Sequence, residues 1–391
     1  MNILFVSIDG DPTYVGGTAT IVQLMAKWLR DNGHFCALGY FQKGEHPTMF
    51  FEEKILLSLD NETIMKEFNA KHEFEILYLT QCIGIDWELL RRCFPKAKFI
   101  AAYHSRPMLM CPTRRSLSIF LHGNFTLPSK LKVSLYWLFY PLYRKHKQTE
   151  EREAFNRLAA NCDALQLLSK GFIPNFLKIV PSFSEKRIFC VGNPVVWNTG
   201  IEINDIARKE HNVLVVCNAN HPKRAHLMIE IWRRIEEDVR FNNWTFTFVG
   251  DSIEVQMLKR KALYKYHLQR INFVGRQNPF EYYRKARVFL MTSSFEGWPM
   301  VLMEAMQMGV VPIAFNSFES VYDIIDDHLN GIIVENNDID MYVKQLKWLM
   351  CHEEKCMKMG EAATHIADRY SIEKVMKQYV VQFKKLLSHD Q

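Results

Sequence analysis

Twelve short apolar, β-branched runs, each separated from the next by a longer and more polar stretch, set the limits on how this chain can fold. In the first half they are Ile3 to Ile8, Phe35 to Tyr40, Ile76 to Leu79, Phe99 to Tyr103, Leu165 to Leu168 and Ile188 to Val191. In the second half they are Val213 to Cys217, Thr245 to Val249, Ile271 to Val274, Val288 to Met291, Val310 to Ala314 and Ile332 to Val334. Parallel strands joined by right-handed helical crossovers produce this alternation. Gly192-Asn193-Pro194 and a polar stretch to Asn212 divide the two sets, and Asn-Pro both turns the chain and ends a strand. The expected fold class is therefore α/β, with two Rossmann-like domains whose parallel sheets face a central cleft. The boundary falls near residues 192 to 205, giving residues 1–195, residues 196–370, and a last helix over 371–391 that packs back towards the first domain. A length of 391 residues suits two cores better than one. Ligands of such folds lie at the cleft and at the C-terminal ends of strands.

Charge is distributed unevenly. From Leu89 to Thr149 there is no Asp or Glu but there are twelve Lys and Arg, which leaves the rest of the chain with 37 positive and 43 negative charges. Arg114, Arg115, Lys130, Lys132, Trp137, Arg144, Lys145 and Lys147 mark this cationic, aromatic-rich surface. Its uncharged run is shorter than the roughly 20 residues that span a bilayer, so the reading is a segment that docks on anionic lipid. No nucleic-acid motif accompanies the charge, and no nucleic acid is expected as a partner. The nine cysteines are scattered without a CxxC pair, and no His cluster has zinc-ligand spacing. These features indicate a reducing, cytoplasmic setting and no bound metal. The N-terminus lacks a basic n-region and reads as a first strand.

The segment Ser293 to Phe315, SSFEGWPMVLMEAMQMGVVPIAF, carries the most chemistry. It reads as strand, loop, helix, strand. Pro299 suits the first helical turn and Gly309 the C-terminal cap, so a helix is expected over Pro299 to Met308. The free N–H groups and positive dipole end of that helix would hold phosphates, and Gly297 would let the backbone approach them. Glu296 lies just before the helix and Glu304 within it. Two carboxylates beside an anion site are consistent if they accept hydrogen bonds from sugar hydroxyls.

With these residues the chain resembles the retaining GT-B glycosyltransferases known as family 4, whose hallmark of two glutamates eight positions apart is matched by Glu296 and Glu304. The resemblance implies a nucleotide diphosphate sugar, expected to be a UDP-sugar, as donor. It implies that Glu296 contacts the transferred sugar, that Glu304 holds the ribose hydroxyls, and that the amides of Gly297, Trp298, Pro299 (through its neighbours), Met300 and Val301 lie along sugar and diphosphate. Lys223 and Arg224 match the family's basic residue after the first strand of the donor domain and would neutralise the leaving group. Family members often have Gly-Arg where this chain has Cys217-Asn218, so Arg224 is a candidate to replace the arginine missing at Asn218. Gly275 and Arg276 match the strand end that reads the nucleobase. Gly16 and Gly17 match a glycine loop near the phosphates, and His104 a histidine near the reacting sugar. No cofactor is required by this chemistry. A saccharide acceptor, lipid-linked and taken at the inner face of the cytoplasmic membrane, is expected. A nucleotide-sugar epimerase on the same fold and a non-enzymatic membrane or nucleic-acid adaptor are the alternatives.

Overall fold

The computed structural model describes residues 1–9, 17–42, 50–80, 82–109, 127–197, 201–219 and 221–388. Two parallel sheets are present, as the alternation predicts. The first contains β1 (Asn2–Asp9), β2 (Phe35–Gln42), β3 (Glu53–Leu56), β4 (Ile76–Leu79), β5 (Lys98–Tyr103), β6 (Ala164–Leu167) and β7 (Ile188–Cys190), in the order β3-β2-β1-β4-β5-β6-β7. The second contains β8 (Asn212–Val216), β9 (Thr245–Val249), β10 (Ile271–Gly275), β11 (Val288–Met291), β12 (Val311–Phe315) and β13 (Ile332–Val334), in the order β10-β9-β8-β11-β12-β13.

Burial explains why these runs form strands. Every residue of β4, β6, β11 and β12 is buried, because helices cover both faces of each sheet and leave no solvent side for polar alternation. The strand the sequence does not announce is β3. It is an edge strand with Ile55 as its one fully buried residue, and Glu53 and Lys54 interrupt any apolar run. Charge at an edge costs little and also discourages further pairing, so the hydrophobic signal is missing where the strand is not.

In each sheet the first strand is internal and the strand order reverses around it. Leu4 of β1 lies between Ala37 of β2 and Leu77 of β4, and Leu214 of β8 lies between Thr247 of β9 and Phe289 of β11. Reversal parts the connections on either side and opens a crevice at the strand C-terminal ends. In the second sheet that crevice is walled by the loops after β8 and β11.

The chain crosses between the sheets at residues 191–197 and again near 366–372, and Val195 N donates to the Tyr370 carbonyl across the two crossings at 2.9 Å. The last helix, Ile372–Ser388, buries Val375, Met376, Tyr379 and Phe383 in a cluster with Ile3, Phe5, Met25 and Tyr78. It lies beside the helix Gly17–Asp31 on one face of the first sheet. A separate apolar cluster runs from Leu4 and Leu77 through Trp298 and Leu302 to Leu214 and Phe289, joining the two domains behind the cleft.

Candidate active site

The loop after β11 is fastened to the loop after β8 before any ligand is considered. Ser294 N donates to the Pro222 carbonyl at 2.7 Å, and the Thr292 hydroxyl lies 3.0 Å from the Lys223 carbonyl. Arg224 supplies the strongest tie. Its guanidinium donates to the carbonyls of Thr292 (2.6 Å) and Ser293 (2.8 Å) and to the side-chain oxygens of Asn336 (2.9 Å) and Asn337 (2.6 Å). It also lies over the Phe315 ring, 5.1 Å from its centroid. Its backbone is left-handed, with φ at 48°, and starts the helix Ala225–Glu236. Arg224, the candidate to replace the absent phosphate cation, spends four of its five N–H donors on protein acceptors and so acts here as a structural tie.

Lys223, one residue earlier, points the other way. Its Nζ lies 2.6 Å from Glu296 Oε1 with both side chains mostly covered. A cation and a carboxylate therefore meet at the mouth of the crevice, just ahead of the helix Met300–Gln307. Pro299 is the N-cap of that helix, with ψ at 95°, one position outside the first turn expected for it. The carbonyl of Pro299 accepts the first helical N–H, from Leu302 at 3.0 Å, so the earlier amides of Met300 and Val301 remain at the helix mouth. Gly309, at φ 64°, ends the helix as the sequence predicts.

Gly297 is needed for a different close approach from the one expected. A Cβ there would lie 2.3 Å from the His104 carbonyl oxygen and 2.8 Å from Ser105 Cα. Backbone from the two domains meets at this point, which brings His104 to the Glu296 loop. Both His104 ring nitrogens are buried with no hydrogen-bond partner among the described residues. Burial lowers the ring to about 4, so the imidazole is neutral near pH 7 and can exchange one hydrogen bond with a hydroxyl. Across the cleft Gly17 opens its helix, and a Cβ there would touch Met300 Cγ at an ordinary 3.4 Å. Two helix N-termini therefore converge, although the contact itself does not demand glycine. Gly16 lies outside the described residues.

Trp298 is expected to offer its amide, and its side chain serves another purpose. Its indole is buried between the two chain crossings, edge-on to Tyr370 with centroids 5.1 Å apart. A Cβ on Gly192 would strike its ring at 2.3 Å, and Nε1 points at Met303 Sδ, 2.6 Å away. The indole packs the hinge. Glu304 is half-buried on the helix and accepts a hydrogen bond from the Tyr283 hydroxyl at 3.0 Å. Burial raises its pKa, while the phenol's hydrogen bond pulls it down.

At the crevice rim, Asn218 is exposed and its carbonyl accepts the Ser252 hydroxyl at 2.7 Å. Gly275 is left-handed and its carbonyl accepts Gly250 N at 2.8 Å, with Arg276 exposed beside it. Sequence reasoning missed two features. One is Tyr283. The other is a clasp between domains, in which Glu319 Oε1 accepts Arg106 Nη2 (2.6 Å) and Asn175 Nδ2 (2.7 Å). Neither has a signal in the sequence, because each pairs residues far apart in the chain. Among the described residues no group of three or more His, Cys, Asp or Glu could hold a metal.

The last part of the cationic region lies on the helices Leu127–Leu138 and Tyr140–Asn161. Leu131, Leu135, Trp137, Leu138, Phe139 and Leu142 are exposed on them, beside exposed Lys132, Arg144 and Lys145. Lys147 is paired with Glu150 at 2.5 Å. Arg114 and Arg115 lie outside the described residues, as does the side chain of Lys130. Among the described residues no helix is long and apolar enough to cross a membrane.

The two neighbouring cations separate in a mutational test. Arg224→Ala is expected to lower stability to urea by about 2–3 kcal/mol, since its charged hydrogen bonds hold the loop after β11. Lys223→Ala is expected to cost less, about 1 kcal/mol, since it breaks one partly covered ion pair rather than four hydrogen bonds. Equal losses in the two variants would contradict the division of roles.

Residues 199–366 match the family described as Glycosyl transferases group 1. Among curated relatives, the chain is 30% identical over 207 residues to the amylovoran biosynthesis glycosyltransferase AmsD of Erwinia amylovora, covering 51% of this chain and 57% of that protein. It is 26% identical over 193 residues, 49% of this chain and 52% of the relative, to a Campylobacter jejuni GalNAc-alpha-(1->4)-GalNAc-alpha-(1->3)-diNAcBac-PP-undecaprenol alpha-1,4-N-acetyl-D-galactosaminyltransferase. The chain spans about half the length of these relatives. Anabaena Alr3699/HepE, solved in complex with UDP-glucose, superposes with a TM-score of 0.68 at 16% identity, over 98% of this chain and 100% of that one. The chain thus has the GT-B fold, and the greater part of its second domain matches the glycosyl transferases group 1 family model.

Proposed function

We propose that this protein is a retaining glycosyltransferase of the family 4 type that moves a sugar from a UDP-sugar to a lipid-linked saccharide acceptor. The observation that carries the proposal is the meeting of the Lys223–Glu296 pair with the N-terminus of the helix Met300–Gln307 at the crevice beside β8 and β11. A nucleotide diphosphate sugar has the complementary chemistry at each point. Its diphosphate takes Lys223 and the helix amides, its sugar hydroxyls take Glu296, and its ribose takes Glu304. Binding therefore divides the ion pair of the free protein, with each partner receiving a new one.

In the reaction the acceptor oxygen bonds to the anomeric carbon as the bond from that carbon to the diphosphate oxygen breaks. Attack on the face the diphosphate leaves preserves the anomeric configuration, and a leaving phosphate oxygen takes the acceptor's proton. Lys223 and the amides of Met300 and Val301 neutralise the charge that grows on the diphosphate. Neutral His104, held against the Glu296 loop by the Gly297 contact, offers a ring nitrogen to a sugar hydroxyl in this reading. No cofactor enters these steps.

The UDP donor is supported by the complex of HepE with UDP-glucose, and the lipid-linked acceptor by the undecaprenol-linked substrate in the name of the Campylobacter relative. The exposed leucines, Trp137 and Phe139 beside Lys132, Arg144 and Lys145 suit docking on an anionic membrane surface, at the inner face of the cytoplasmic membrane.

Calorimetry and turnover test the donor assignment together. Glu304→Ala is expected to weaken UDP binding at least tenfold, about 1.4 kcal/mol, whereas Glu296→Ala should keep UDP binding and lose turnover. Unchanged activity in both variants would defeat the reading. For the surface, replacing Lys132, Arg144 and Lys145 by Gln is expected to release the protein from anionic liposomes in a flotation assay. Retained binding would reject membrane docking through this face.

A further inference from the structure

Tyr283 lies on the short helix Phe280–Lys285, just before β11, and is fully buried. Its hydroxyl is 3.0 Å from Glu304 Oε2 and 3.3 Å from the Val301 carbonyl. Both neighbours are acceptors and the phenol has one proton, so the carboxylate, as the charged and stronger acceptor, takes it. The ring is held from three sides. Trp197 in the interdomain connection stands edge-on to it at 5.6 Å, Phe289 of β11 packs at 6.0 Å, and the Tyr283 carbonyl accepts the buried Lys209 ammonium at 2.7 Å. A phenol so confined cannot follow a carboxylate that swings away. The second oxygen, Glu304 Oε1, has no hydrogen-bond partner among the described residues and is not a sealed, orphaned atom.

We propose that Tyr283 is a positioning residue for the donor, fixing Oε2 of Glu304 so that Oε1 remains available to the paired hydroxyls of the nucleotide's ribose. The inference rests on the donor reading above. Its distinctive content is that a residue outside the glutamate-bearing segment sets both the direction and the ionisation of the second glutamate. Without the phenol the carboxylate is free to rotate, and each productive encounter with ribose must first order it.

The electrostatics give the test a direction. Burial raises Glu304, and the Tyr283 hydrogen bond is the opposing influence. The other titratable groups about the pair are Cys217 just after β8, which acts on the phenol and has its own thiol raised by burial, and Lys209 on the Tyr283 carbonyl, which burial lowers to about 7. Among the described residues no lysine, arginine or histidine perturbs the Glu304 carboxyl. Ribose binding needs the carboxylate, so affinity is present above the Glu304 pKa and is lost as pH falls through it. Removing the phenol removes the downward influence and moves that loss to higher pH.

The experiment is calorimetric titration of the intact protein with UDP over a series of pH values, for wild type, Tyr283→Phe, Glu304→Gln and the double variant. Tyr283→Phe keeps the packed ring, and its fold is checked by circular dichroism. It should weaken UDP about tenfold where the carboxylate is ionised, which corresponds to one charge-assisted hydrogen bond, and the further loss on acidification should set in at higher pH than in wild type. With donor saturating, kcat should fall far less than affinity. In the Glu304→Gln background, adding Tyr283→Phe should change UDP affinity by less than about twofold, because the carboxylate it serves is gone. Tyr283→Phe that binds UDP within twofold of wild type at every pH overturns the inference while leaving the donor reading intact. So does a loss that is independent of pH and persists in the Glu304→Gln background, the sign of a packing role alone. Failure of the wild type to bind UDP at all overturns the donor reading and this inference with it.

Discussion

The guanidinium of Arg224 is the constraint on which the site depends. Carbonyl groups at the C-terminal ends of parallel strands all point the same way, and a loop leaving such an end has no ladder partner to hold it. Arg224 answers this for the loop after β11 by accepting a left-handed backbone and filling its donors with two of that loop's carbonyls and two asparagines beyond β13. The strain of a left-handed arginine costs of order 1 kcal/mol, less than the charged hydrogen bonds it permits. With the loop fixed, Lys223 and Glu296 are held within ion-pair distance, and the first turn of the helix Met300–Gln307 opens beside them.

A second constraint acts between domains. Gly297 lets one backbone lie against the carbonyl of His104, and two residues further on Arg106 reaches Glu319 in the opposite domain. Trp298, between Gly192 and Tyr370, fills the hinge behind the same loop. The segment that would carry the donor's sugar is therefore in contact with both crossings and with the first domain, so relative movement of the domains is felt there directly. This arrangement fits a reaction in which the acceptor side must close on a donor already bound.

The fold was largely readable because its strands are buried on both faces, which forces continuous apolar runs such as VFLM and VPIAF. The edge strand EKIL escaped because only one of its residues is fully buried. Within the site, the helix and its ends were legible from Pro299 and Gly309, and Lys223 and Glu296, singled out separately in the sequence, meet at the crevice. Side-chain direction was not legible. Sequence spacing places Trp298 and Arg224 in the site loops without orienting them; the indole turns into the hinge and the guanidinium to the protein's own carbonyls, because packing and hydrogen bonding decide which way a loop side chain points. Tyr283 was invisible for a different reason: nothing in FEYYRK sets it apart from Tyr282, and only the folded chain brings its hydroxyl to Glu304.

A crystal structure of the protein soaked with UDP-glucose tests the central claim most directly. The account expects Lys223 to have left Glu296 for a diphosphate oxygen, with the Met300 and Val301 amides within hydrogen-bond distance of the same group and Glu296 on the sugar hydroxyls. A nucleotide bound elsewhere, with the Lys223–Glu296 pair unchanged at its present separation, would contradict it.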